Sequence, residues 1–137
     1  MEFKLDKIQY PIVDTSVQTQ DINVTKHLKS SLGISCSLSK DFLKEFCIIF
    51  DIDLNNTDKE DNFHMHIIAN AYFNATKALP ENFESSDFAM INAPAIAFPY
   101  VRAFISNLTM NMGFNPIIFS TINFVELAKS VRKKNDR

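Results

Sequence analysis

The feature that most limits what this chain can fold into is a change of period. From Leu28 to Ala75 apolar residues recur at alternate positions, and after Pro80 they recur every third or fourth. Alternation is the period of a strand with one face buried, and the longer spacing is that of a helix with one apolar stripe. Strands followed by helices predict an α+β domain: a four-stranded antiparallel sheet, a long helix, an apolar loop and a C-terminal helix. At 137 residues, with no repeat and no linker, one domain is expected. Its strands should fall at about 3–76 and its helical part at about 84–134.

Phe3, Leu5, Ile8, Tyr10 and Ile12 alternate with a change of parity between Leu5 and Ile8, the mark of a β-bulge. Asp14 to Lys26 is polar and aperiodic and reads as a long connection. Leu28 to Leu38 is a half-buried strand. Phe42, Phe46, Ile48, Phe50, Ile52 and Leu54 form one face of the next, and Phe63 to Ala75 alternates again after a polar turn, so a hairpin is expected. Val101, Phe104, Ile105, Leu108 and Met112 make a helical stripe, ended by Gly113. Asn123-Phe124-Val125-Glu126 has the spacing of a helix cap. Pro99 is expected in the first turn of the long helix, where a missing N–H costs nothing.

Composition excludes several functions. The net charge of −2 gives no pull toward nucleic acid or an anionic membrane. Two glycines cannot build a phosphate loop, and no Gly-x-Ser-x-Gly elbow is present. Cys36 and Cys47 lie in apolar runs and read as buried free thiols, without a catalytic signature. No enzyme is expected. Met1 to Asp6 carries charge where a leader needs an apolar core, so a cytoplasmic protein is expected. The most apolar window, Ala89 to Phe98, is short and interrupted, so no membrane insertion is expected.

Two groups of side chains invite a metal. Asp51-x-Asp53-x-Asn55 begins like a calcium loop, but Asn56 and Asn62 stand where glycine and glutamate are needed. His64 and His66 share one strand face and Asp51 and Asp53 lie on the facing strand. That is either a zinc site or two surface histidines opposite two acids. We expect no metal and no cofactor. The most informative segment is Phe114 to Ile122, an oily stretch where a loop is usually polar. It either tucks into the core or covers an apolar groove or an oligomer contact. Thirteen phenylalanines and no tryptophan sharpen that question, since they supply a large core or a used apolar surface.

Phe98-Pro99-Tyr100-Val101-Arg102 resembles the Phe-Pro-Tyr-Ala-Arg signature of the SecB family of export chaperones. Gly113-Phe114, Pro116 and Asn123-Phe124 resemble that family's downstream pattern, Glu45-Phe46-Cys47-Ile48 its Glu-Val-Val-Leu strand, and Ala71-Tyr72-Phe73 the end of its last strand. The resemblance implies a homotetramer, a dimer of dimers, that holds unfolded preproteins in an apolar groove without ATP. It places Leu28, Leu32, Phe114, Ile117, Ile118, Phe119, Ile122 and Phe124 in or beside the groove. It places Phe98, Tyr100, Val101, Phe104, Ile105 and Leu108 on the helix between subunits. The family's acids for the SecA motor are here Ile12, Ser16 and His66, and its acidic tail is the basic Lys133 to Arg137, which puts SecA docking in doubt. A dedicated antitoxin chaperone of a toxin–antitoxin–chaperone system is the alternative. A small structural or ligand-binding module is the alternative of another class.

Overall fold

The computed structural model describes residues 2–41, 43–56, 58, 60–119 and 122–135. Four strands, β1 (Phe3–Gln18), β2 (Lys29–Leu38), β3 (Glu45–Asn56) and β4 (Asn62–Ala75), form one antiparallel sheet in the order β1-β4-β3-β2. The expected β3–β4 hairpin is present, paired from Glu45↔Asn74 to Asn56↔Phe63. Phe42, expected on the β3 face, lies outside the described residues.

The alternation decides which face is covered. Phe46, Ile48, Phe50, Ile52 and Leu54 of β3, with Phe63, Met65, Ile67 and Phe73 of β4, are buried on the inner face. Cys47, Asp51, Asp53, His64 and His66 lie on the outer face and stay at least partly exposed. At one end of the inner face the rings of Phe3, Phe46, Phe73, Phe83 and Phe88 meet at centroid distances of 4.7–5.6 Å.

β1 differs from expectation in length. The parity change appears as a register shift between Leu5 and Lys7, and a second shift follows between Gln9 and Ile12. The strand then continues to Gln18, paired with β4 through Gln18↔Asn62, where the sequence reads as connection. Residues 11–16 are all exposed at the sheet's edge, so no buried face shapes their composition, and the backbone of β4 alone holds them.

A π-helical turn, Phe88–Asn92, runs directly into α1 (Ala93–Asn111). Pro94, not Pro99, occupies the first turn. Pro99 lies inside the helix, on its exposed side, so the backbone bond it cannot make faces solvent. The continuous helical stretch Phe88–Asn111 has 24 residues, longer than the sequence window suggests, and its most apolar 18-residue window has a mean hydropathy of 1.4, which meets the length and composition of a membrane span. One side of it packs on the sheet: Ala93, Ala97, Phe98, Val101 and Ile105 are all buried. That is the arrangement of a core helix. Thr109, fully buried on the same side, donates its hydroxyl to the Ile105 carbonyl at 2.6 Å. Gly113 ends the helix with φ +95°. Asn123 caps α2 (Phe124–Asn135), its side-chain oxygen accepting from the backbone N–H groups of Val125 and Glu126. Of the basic tail, Lys133 to Asn135 end this helix, and Asp136 and Arg137 lie outside the described residues.

Candidate functional site

β2 is an edge strand, and its inner residues Ser30, Leu32, Ile34 and Cys36 face across the sheet from Leu54, Ile52, Phe50 and Ile48. α1, the loop after it and α2 close over this edge incompletely. A cavity of about 100 Å³ opens at Ser30, Ser31 and Leu32, walled by Ile52, Phe98, Phe119 and Ile122. A larger one, about 400 Å³, opens at Ile34, Ser35 and Cys36. Its far wall is the apolar stripe of α2, Leu127, Ala128 and Val131, together with Ala89 and Met90 of the π turn. Arg132 at its rim donates to the Asp87 carboxylate at 2.7 Å and to the Ser85 carbonyl at 3.0 Å, holding α2 against the turn before α1.

The oily loop divides its roles residue by residue. Ile117 is buried, and its carbonyl accepts from the Ser106 hydroxyl at 2.5 Å. Ile118, 81% exposed, points out. Phe119 and Ile122 are half-buried and line the smaller cavity. Phe114 is half-buried, edge-on to Phe63 at 5.8 Å. Phe124 is buried 5.8 Å from Phe98. Leu28, half-buried, immediately precedes β2. The loop is rooted by a clasp at Asn115. Its N–H donates to the Ile22 carbonyl at 3.0 Å, its side-chain amide to Asn23 Oδ1 at 2.7 Å, and its own carbonyl accepts from Thr25 Oγ1 at 2.8 Å.

Thus the structure brings Leu32, Phe119 and Ile122 together around one cavity. Its larger neighbour is lined by residues not singled out in the sequence. The signal was there in two halves: Ile34 and Cys36 continue the alternation of Leu32, and Leu127, Ala128 and Val131 share a helical stripe. What the sequence does not state is that α2 lies along β2. Of the residues expected between subunits, Phe98, Val101 and Ile105 are buried within the single chain, on the side of α1 that faces its own sheet. Phe104 and Leu108 are half-buried, with Phe104 stacked on Tyr10 at 3.8 Å. Tyr100, 61% exposed, is on the opposite side with Ile96 and Met110.

On the outer face the histidines reach diagonally to the acids. His64 Nε2 lies 2.9 Å from Asp53 and His66 Nε2 lies 2.8 Å from Asp51, giving two separate pairs. Hydrogen bonds from Asn55 and from His64 hold the Asp53 carboxyl below the usual carboxylate range. Such a group stabilises the fold above its unfolded pKa of about 4 and loses that contribution as pH falls through its lower folded value. Asp53→Asn should therefore lower the urea midpoint at pH 7, and the gap to the unsubstituted chain should close toward pH 2. A gap that stays constant with pH would refute the assignment.

The thiols offer no ready nucleophile. Burial, with smaller contributions from Glu84 and Cys47, pushes Cys36 up to about 12, and burial pushes Cys47 up to about 11. They sit on opposite faces of the sheet and are unpaired.

Comparison with known proteins places this geometry in a lineage. The family model of SecB, preprotein translocase subunit SecB, matches residues 11–135. Protein-export protein SecB of Orientia tsutsugamushi strain Ikeda is 28% identical over 127 residues, 93% of this chain and 67% of the relative. That of strain Boryong is 29% identical over 126 residues, 92% and 68% of the two chains. The fold is similar to that of a SecB-like chaperone from Mycobacterium tuberculosis, solved in complex with a ChAD peptide from the HigA1 antitoxin. The TM-score is 0.69 at 13% identity, covering 88% of this chain and 91% of that one. The chain belongs to the SecB family.

Proposed function

We propose that this chain is an ATP-independent holdase that binds non-native polypeptides in the groove along β2, in the cytoplasm and without covalent chemistry. The observation that carries this reading is the pair of apolar cavities opening on the free edge of β2. An extended segment laid there gains main-chain hydrogen bonds from the edge strand and buries apolar side chains in the cavities. The test is aggregation: substoichiometric to equimolar protein should slow the aggregation of several unrelated chemically unfolded proteins. Failure to hold any unfolded chain or bind any apolar peptide would favour a structural or ligand-binding module instead.

Ile118 supplies a sharper test. It is almost fully exposed beside the groove. Ile118→Asp should leave the unfolding free energy within about 0.5 kcal/mol of the parent and weaken client binding several-fold. Equal loss of both would make the loop core.

A dedicated antitoxin chaperone is the second reading. It is favoured by the outer face, where Ile12 is exposed and His66 is paired with Asp51. The family's acids for SecA are absent at both positions. A dedicated chaperone should protect one antitoxin and none of the unrelated clients. Assembly into a dimer of dimers belongs to either reading. The exposed apolar side of α1, with Ile96, Tyr100 and Met110, supports an assembly contact. Tyr100→Asp should shift the mass in light scattering from tetramer toward smaller species without changing the far-UV spectrum. An unchanged mass would remove α1 from the interface.

A further inference from the structure

We propose that the groove reads client spacing: it selects an extended segment with two apolar side chains four residues apart, the smaller in one cavity and the larger in the other. The inference rests on the holdase reading and names the sequence class that this site prefers.

The two cavities open on the strand edge itself. Each is lined by inner-facing residues of β2 and by one outward residue between them: Ser31 between Ser30 and Leu32, and Ser35 between Ile34 and Cys36. Their centres on the strand, Ser31 and Ser35, are four positions apart, or about 13 Å at the strand rise of about 3.3 Å. Ile122, at the smaller cavity, lies two residues before α2, and the Leu127–Arg132 stretch of that helix walls the larger one. The separation is thus set by β2 itself.

An extended ligand running beside β2 has the same rise as β2. Side chains two apart span only about 7 Å and cannot reach both cavities, and side chains three or five apart point to opposite faces. Four apart satisfies both the distance and the face. The cavities differ in volume, about 100 against about 400 Å³, so the pair is asymmetric: an aliphatic side chain suits the first and an aromatic one the second. Of the charged residues at the larger cavity, Arg132 is already paired with Asp87, whereas Glu84 has no ion pair among the described residues. Glu84 disfavours an acidic residue beside the aromatic anchor.

The experiment uses the full chain and fluorescein-labelled Ser/Gly peptides with one Leu and one Phe placed two, three, four or five residues apart, in both orders, read by anisotropy. One order of the four-apart peptide should bind at least about tenfold more tightly than the three- and five-apart peptides, the effect of losing one anchored side chain. That preference should be lost in Val131→Asp, since Val131 lines the larger cavity. Affinities within twofold across the series, or a four-apart preference unchanged in Val131→Asp, would overturn the spacing rule and leave the holdase reading standing. No binding by any peptide would overturn both.

Discussion

Phe98→Ala should destabilise the chain by about 3–5 kcal/mol, the range for truncating a buried aromatic ring, and should dismantle the groove in the same step. Phe98 is 3% exposed. Its ring lies 5.7 Å from Phe50 on the sheet, 5.9 Å from Phe119 in the loop and 5.8 Å from Phe124 at the start of α2. One side chain thus joins the sheet and the loop that line the smaller cavity to the start of α2. Its removal loses transfer free energy, leaves a void and takes a packing partner from both Phe119 and Phe124. Urea unfolding and peptide anisotropy should fall together, in contrast to Ile118→Asp, where binding falls alone. A loss of stability below about 1 kcal/mol would show that Phe119 and Phe124 close the gap and that Phe98 is not the hub.

The second large effect lies at the opposite end of the sheet. Phe73→Ala should also cost about 3–5 kcal/mol. Phe73 is stacked on Phe46 at 5.0 Å and meets the edge of Phe3 at 5.6 Å. Phe46 in turn touches Phe83, and Phe3 touches Phe88, so the cluster fastens β1 and the segment before α1 to the central strands. A double-mutant cycle between Phe46 and Phe73 should give a coupling of about 0.5–1.5 kcal/mol. None of the five rings lines either cavity on β2, although Phe83 and Phe88 adjoin Glu84 and Ala89 in the wall of the larger one. A coupling near zero would mean that the two rings are packed independently.

These two positions also mark what was legible in the sequence. Phe73 and Phe46 could be placed on the inner face from alternation alone, because a central strand covered on one side has no freedom of register. Gly113 and Asn123 were equally readable, since each ends or begins a helix through its own chemistry. Phe98 was harder. Its motif marks the family, and the family resemblance points to a helix between subunits. An apolar residue on a helix says only that it is buried, not by what; within the single chain Phe98 packs on the sheet at Phe50. Pro99 misled for a related reason. A proline is cheapest in the first turn, but on the solvent side of α1 its cost is low enough to be carried mid-helix. The far half of β1 was invisible because edge residues need no apolar pattern. The larger cavity was invisible because it depends on α2 lying along β2, a relation between two stretches that are separately ordinary.

The Asn115 clasp has an evolutionary consequence. Its hydrogen bonds tie the connection between β1 and β2 to the start of the oily loop. Residues inserted between Gly113 and Asn115 would pull those partners out of register and loosen both walls. Residues inserted beyond Pro116 would lengthen the loop from a fixed root. The loop can therefore change length on one side of Asn115, while the other side is held by the fold.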